Sequence, residues 1–324
     1  MPIHYLTESD VREVLTMDLA LKCVEDAFRK MALDEATNIP RQRCQTDAAM
    51  LHVLPAAAKT LGALGLKAYT TGRFEAKFQV FLFDPKQGGL SAIIEADHLG
   101  AVRTGAASGV ATKKLARAGA STLGLYGTGK QARTQLEAIA RVRALSRVHV
   151  FSRDAGRRAA FAEAAGRELG LDVRPVDDPE LAARDLDIVV TATTSREPVL
   201  RGDWLAEGSH VNAIGSNMMS KAEIDPEVIR RSSIVTIDSK EQGKLECGDF
   251  AEALSRGLLT WSDVKEFAPV FVGRYPGRQS EGDITLFKSL GLGIEDLAVA
   301  VAVVDRAKSR GLGQFWTPEG STLS

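Results

Sequence analysis

The chain has little cysteine: Cys23, Cys44 and Cys247 are the three in 324 residues, odd in number and far apart. That usage excludes a disulfide framework and fits a reducing compartment. An excess of one charge is also missing, since the formal net charge is −1 and no basic or acidic run stands out. Nothing here would draw the protein to nucleic acid or to an anionic membrane. The longest apolar stretch, around Leu297–Val304, is far too short to cross a bilayer. Met1-Pro2-Ile3-His4-Tyr5 has neither the basic start nor the apolar core of a signal peptide. His98 and His210 stand in no metal-ligand spacing with cysteines or carboxylates, so no metal is expected. Internal repeats and low-complexity tracts are not visible. The expectation is a soluble, cytoplasmic protein without a nucleic-acid or membrane partner.

What is present is an ordinary globular composition, 44% hydrophobic and 26% charged. The length exceeds that of the usual single domain, so two are expected. From Thr7 to about Glu35 the pattern is helical, opened by the box-like Thr7-Glu8-Ser9-Asp10 and carried by Leu21, Val24, Phe28 and Met31. After Pro40 come extended runs around Met50–Leu54, Leu64–Thr71, Phe78–Phe83 and Leu90–Glu95, the last two separated by a turn at Asp84–Gly89 that predicts a hairpin. Strands without intervening helices indicate a mixed α+β unit. A small-residue helix is expected over about Asp97 to Ala118.

From Ser121 the rhythm changes. Apolar runs at Thr122–Tyr126, Arg147–Phe151, Ile188–Thr191, His210–Ile214 and Ile234–Ile237 read as buried strands. Helical segments Lys130–Arg143, Arg157–Leu169 and Pro226–Arg231 fall between several of them. This alternation predicts an α/β fold, a doubly wound parallel-sheet Rossmann domain over 116–292. A second, α+β domain for substrate binding and dimerisation is expected over 1–115 plus 293–324, where a final helix, about Ile294–Lys308, returns to pack on the first segment.

The sharpest motif is Gly124-Leu125-Tyr126-Gly127-Thr128-Gly129-Lys130-Gln131-Ala132. Gly127 permits a tight turn, Gly129 lets the backbone approach a pyrophosphate, and small Ala132 lets helix and strand pack closely. The phosphates would lie at the helix N-terminus. Alone the triplet is weak; a strand before it, a helix after it and a second strand at 147–151 make it specific for a dinucleotide. That second strand runs into Ser152 and Arg153, with Arg157 and Arg158 nearby, instead of ending in a carboxylate. A hydroxyl plus a guanidinium suits a ribose 2′-phosphate, so NADP(H) is expected over NAD(H), although a different loop path would bring Asp154 to the ribose. Thr193, Thr194 and Ser195 follow one later strand and Gly215, Ser216 and Asn217 another, where small polar residues face a ligand in such a sheet. Ordinary loop chemistry is the alternative for any one of them.

Together these features resemble the ornithine cyclodeaminase/mu-crystallin family. The residues carrying the resemblance are Ala101-Val102-Arg103-Thr104-Gly105-Ala106-Ala107-Ser108, the glycine loop at 127–132, Val211–Gly215, and Thr285-Leu286-Phe287-Lys288-Ser289-Leu290-Gly291. The resemblance implies a homodimer built from the N-terminal domain, with a small substrate held between the domains. It implies that Arg41, Lys67 and Arg103 hold the substrate carboxylate, which suits guanidinium forks and an ammonium. It also implies that Thr104, Ser289 and Gly291 lie at the dinucleotide. The plain alternatives are solvated surface cations, and a helix cap at Phe287–Gly291.

One departure bears on activity. Cyclodeaminases of the family, and its alanine dehydrogenase, have an Asp where this sequence has Asn217. Cyclodeamination needs a group that takes and gives a proton repeatedly, which a carboxamide cannot do. Reduction of a preformed cyclic imine asks only for orientation of its carboxylate and ring. The expected activity is therefore NAD(P)H-dependent reduction of a cyclic α-imino acid, Δ1-pyrroline-2-carboxylate or Δ1-piperideine-2-carboxylate, to L-proline or L-pipecolate. Lys67, Arg103 and Asn217 are the expected catalytic residues, and Arg41 and His52 join the first two at the substrate. An ornithine cyclodeaminase using His52 or another base in place of the missing Asp, an alanine-dehydrogenase-like enzyme, and a mu-crystallin-like binding protein with little turnover remain open. Asp249 reads as the cap of a following helix.

Overall fold

The computed structural model describes residues 2–317. The chain divides into two compact units, Met1–Arg103 with Gly291–Ser324, and Thr104–Leu290. The first division falls inside a continuous helix, Asp97–Leu115, where the sequence reading set it after that helix.

In the first unit, strand β1 (Ile3–Leu6) leads into helices α1 (Glu8–Val14) and α2 (Met17–Ala32). Thr7 caps α1 reciprocally with Asp10, and Thr16 caps α2 by accepting from Leu19 N, so one helical stretch in the sequence becomes two. Helix α2 buries Met17, Ala20, Val24, Ala27 and Phe28 along one stripe. There follow β2 (Ala36–Asn38), β3 (Gln42–Gln45), β4 (Ala49–Ala58), β5 (Ala63–Gly72), β6 (Phe78–Phe83), β7 (Leu90–Glu95) and α3 (Asp97–Leu115). The C-terminal helix Gly293–Arg310 and strand Gln314–Trp316 complete the unit.

Its sheet runs C-terminal strand, β1, β7, β6, β5, β4, β2, with β3 also on β4. The β6–β7 hairpin forms as the turn residues indicate, with Gln79 opposite Glu95. The long β4–β5 ladder sets the site's register, placing Leu54 opposite Lys67 and His52 opposite Tyr69. Lys67 and Tyr69, two apart on β5, therefore share a face. The C-terminal helix packs on that face of β4–β6 and on α2. Neither β1 nor the C-terminal strand was legible, both being too short for a pattern.

The second unit is the doubly wound layer. Its strands are β8 (Thr122–Tyr126), β9 (Arg147–Phe151), β10 (Val173–Pro175), β11 (Ile188–Thr191), β12 (His210–Ala213), β13 (Ile234–Ile237), β14 (Lys265–Glu266) and β15 (Thr285–Lys288). Helices α4 (Lys130–Val142), α5 (Ala155–Leu169), α6 (Pro226–Arg231), α7 (Lys240–Glu246), α8 (Gly248–Ser255) and α9 (Phe267–Phe271) connect them. The order is β10-β9-β8-β11-β12-β15-β13-β14, with every pair parallel. The chain winds from β8 to one side and then returns through β11 to the other, which makes the β8/β11 edge the switch point where such sheets bind ligands. Strands β8, β11 and β12 bury residues on both faces, as helix-covered parallel strands do. Among the described residues no helix is long and apolar enough to cross a membrane.

Candidate active site

The dinucleotide motif lies where β8 turns into α4. Gly127 has φ +109° and donates its N–H to Phe151 O at 2.9 Å, a backbone position suited to glycine. Gly129 is the N-cap of α4 and brings no side-chain hydrogen bond, and the first turn holds no acidic residue. The space a Cβ would occupy on Gly129 is open. Ala132 is fully buried against the sheet. An uncapped helix start beside two glycines, with nothing to repel an anion, fits a pyrophosphate. Thr128 is half-buried, Lys130 exposed and Gln131 half-buried at the same turn.

At the end of β9, Ser152 is half-buried and Arg153 exposed. Asp154 is the N-cap of α5, accepting from Arg157 N at 2.9 Å. Arg158 folds back to donate to Ser152 O at 2.9 Å and pairs with Asp177.

The loops after β11 and β12 are tied together by Glu223, which sequence reasoning missed. One Glu223 oxygen accepts from Thr193 N at 2.6 Å and Thr193 Oγ1 at 2.7 Å; the other accepts from Thr191 Oγ1 at 3.0 Å and Gly215 N at 2.5 Å. Glu223 is fully buried, and burial pushes its carboxyl up, opposed by Lys288 and the Thr193 hydrogen bonds. Thr194 is exposed, and Ser195 Oγ donates to Glu197 O at 2.7 Å. Ser216 Oγ donates to Lys221 O at 2.8 Å, and Asn217 is half-buried beside it.

Asp249 does not cap α8, whose N-cap is Cys247. Its Oδ1 accepts from Glu223 N at 2.6 Å and its Oδ2 pairs with Lys288 Nζ at 2.7 Å, both residues fully or nearly fully buried. Lys288 also donates to Ser216 O at 2.6 Å. A buried ammonium within reach outweighed local capping. Ser289 donates to Asp238 Oδ2 at 3.3 Å, and Thr104 O accepts from Gln135 Nε2 at 3.1 Å.

In the first unit the three expected cations come together. Lys67 Nζ and Arg103 Nε both donate to Asp296 Oδ1 at 2.9 Å, and Arg103 Nη1 donates to Glu295 Oε2 at 2.7 Å. Lys67 and Arg103 are about 5% exposed and both carboxylates are fully buried. Arg41 Nη2 donates to Gly291 O at 3.3 Å. Gly291, at φ +79°, leaves Arg103 Nη1 only 2.8 Å from where a Cβ would stand. Gly291 thus belongs to the cation cluster of the first unit. The sequence did not reveal Glu295 and Asp296: two acids in the first turn of a helix read as dipole partners.

Burial pushes the Lys67 ammonium down to about 8, with Asp296 opposing and Arg103 and Arg41 assisting. For Arg103 burial works against the charge, but Asp296 and Glu295 outweigh it and hold the guanidinium above its ordinary range. His52 stacks on Tyr69 with ring centres 4.3 Å apart and shares a 3.0 Å hydrogen bond with Thr71 Oγ1. Burial, with Arg43 and Arg41, lowers His52 to about 4, so its ring is neutral near pH 7. Tyr69 in turn meets Phe78, whose ring centre is 5.2 Å from Lys67 Nζ. Among the described residues no group of three His, Cys, Asp or Glu side chains is placed to hold a metal ion.

Known proteins share this fold. The model of the ornithine cyclodeaminase/mu-crystallin family matches residues 3–311. A Δ1-pyrroline-2-carboxylate reductase of Bacillus cereus is 36% identical over 269 residues, 81% of this chain and 82% of that protein. The solved Δ1-pyrroline-2-carboxylate reductase of Thermococcus litoralis, in complex with NADH and L-proline, superposes with a TM-score of 0.91 at 32% identity, covering 96% of this chain and 99% of that one. An archaeal alanine dehydrogenase dimer with bound NAD gives 0.92 at 33% identity, covering 98% and 100%. The family model spans nearly the whole chain, and both sheets have their counterparts in the solved structures: the chain belongs to the ornithine cyclodeaminase/mu-crystallin family.

Proposed function

We propose that the protein reduces a cyclic α-imino acid, Δ1-pyrroline-2-carboxylate or Δ1-piperideine-2-carboxylate, to L-proline or L-pipecolate with a reduced nicotinamide dinucleotide. The observation that carries this reading is the buried Lys67–Arg103–Asp296–Glu295 cluster with Arg41 beside it. Two carboxylates fix the directions of an ammonium and a guanidinium before any ligand arrives, which lowers the ordering cost of binding a substrate carboxylate. Arg103, forked and always charged, gives the carboxylate its orientation; Lys67, still an ammonium at neutral pH, adds charge.

A dinucleotide held by Gly127–Ala132 would supply the hydride. The chain's own residues hold the acid so that its C=N carbon is presented, and the protonated imine becomes an amine on accepting that hydride. Asn217 orients ring or nicotinamide through a carboxamide that cannot cycle a proton, which favours reduction over cyclodeamination. The relatives described above, two Δ1-pyrroline-2-carboxylate reductases and an alanine dehydrogenase, support the reaction class.

Ser152 and Arg153 at the end of β9 favour NADP(H) over NAD(H), and Asp154, engaged as a helix cap, supports the same preference. A homodimer is proposed in keeping with the alanine dehydrogenase dimer. The test is a screen of NADPH and NADH oxidation against five- and six-membered cyclic imino acids and pyruvate with ammonia, alongside ammonia release from L-ornithine. Turnover of a cyclic imino acid is expected; ammonia release from ornithine without added reductant would replace this reading by cyclodeamination.

A further inference from the structure

We infer that Glu223 is a positioning residue for the dinucleotide: one buried carboxylate sets the relative placement of the loops that follow β11 and β12. The inference rests on the proposal that the second unit binds the dinucleotide at this edge of its sheet. Four donors converge on the two oxygens, from Thr191 at the end of β11, from Thr193 on the loop that follows it and from Gly215 on the loop after β12. Two of the four are backbone N–H groups, so the carboxylate fixes main chain and not only side chains. Loops otherwise free to move apart are thereby held to a common point within hydrogen-bond tolerance.

Glu223 is itself located by a second buried layer. Its own N–H donates to Asp249 Oδ1, Asp249 pairs with Lys288 on β15, and Lys288 reaches Ser216 O on the loop after β12. The network therefore closes on itself: the loop after β12 is gripped by Glu223 at Gly215 and by Lys288 at Ser216. A buried carboxylate with this many donors is a costly feature to retain for packing alone, since an apolar side chain of equal volume is often as stable. What it adds is a fixed geometry at the mouth of the sheet. Thr193 illustrates the point, because its hydroxyl and its N–H are both turned to Glu223, while Thr194 next to it stays exposed.

Glu223→Gln keeps the volume but sets an amide N–H₂ against N–H donors. The dissociation constant for NADPH or NADH, read by nicotinamide fluorescence on the whole protein, should rise about tenfold or more, as expected when binding groups are displaced by a fraction of an ångström to 1 Å. The KM for the imino acid at saturating dinucleotide should rise by a smaller factor, since only Asn217 on the same loop is disturbed and the Lys67–Arg103 cluster of the first unit is not; general loosening of the fold would raise both alike. Should Glu223→Gln fail to fold, Thr191→Val removes a single donor from the carboxylate and should raise the same dissociation constant by a smaller factor. An unchanged dinucleotide affinity in a folded Glu223→Gln or Thr191→Val protein, whatever its melting temperature, overturns the inference. A parent protein that binds neither dinucleotide instead removes the cofactor reading on which it stands.

Discussion

Lys67 and Asp296, 229 positions apart, form a buried ion pair at 2.9 Å, and Arg103 Nε shares the same carboxylate oxygen. The pairing joins a sheet strand to the first turn of the C-terminal helix within one unit. Such a pair adds little net stability, but removing one partner leaves a buried charge uncompensated. Asp296→Asn should therefore destabilise the fold by about 3–5 kcal/mol. In the same variant the KM for the imino acid should rise while dinucleotide affinity holds. Thermal melting and steady-state kinetics on one preparation check both parts.

The pH dependence follows from Lys67. Its ammonium titrates near 8 in the folded protein against 10.5 for the free side chain. Below about pH 8 the charge is present and binds the substrate carboxylate; above it, kcat/KM for the imino acid should fall. Stability moves the other way: between the two values the unfolded chain holds a proton that the folded one has released, so stability rises with pH across that window. Lys67→Arg should lack the alkaline limb, whatever its residual rate. A parent profile that stays flat through about pH 10 would remove Lys67 from the binding step.

His52 should be silent in the same profile. Burial and two arginines keep it neutral down to about pH 4, so it offers no titration between about pH 5 and 8. The His52→Gln variant should show the same acid side as its parent. A limb near pH 6.5 that disappears on substitution would instead make His52 the proton-transfer group of a cyclodeaminase.

For cofactor choice, Arg153→Ala should raise the KM for NADPH by about tenfold, the cost of a lost charge-assisted contact, with NADH little affected. Parallel initial-rate measurements with each dinucleotide decide it. Equal effects on both would mean that Arg153 meets a group the two share.

Much of the architecture was legible because periodicity is local. The strand–glycine–helix joint at Tyr126–Ala132 and the alternation that follows carry their meaning in adjacent residues. Strand β15 was not recognised as a strand: it is short, ends in a lysine, and sits between β12 and β13 although it follows β14 in the chain. Glu295 and Asp296 were invisible for a related reason. Their partners lie about two hundred positions away, and at a helix start their type already has a local explanation. Glu223 occupies an unpatterned stretch, so only the fold reveals that four donors meet there. Asp249 marks the limit of local reasoning, since a cap was the plain expectation and the buried Lys288, from strand β15, decided otherwise. The cations Arg41, Lys67 and Arg103 were found through family resemblance, and the structure supplies the buried setting that resemblance could not.

The most direct measurement is the kinetics of Arg103→Ala with the imino acid and the dinucleotide varied in turn. The loss of a buried guanidinium that orients the substrate carboxylate should raise the KM for the imino acid by about a hundredfold, from a cost of about 2–5 kcal/mol, while NADPH affinity stays near that of the parent. An equal loss of both affinities, or an unchanged imino-acid KM in a folded variant, would contradict the assignment of this cluster to the substrate carboxylate.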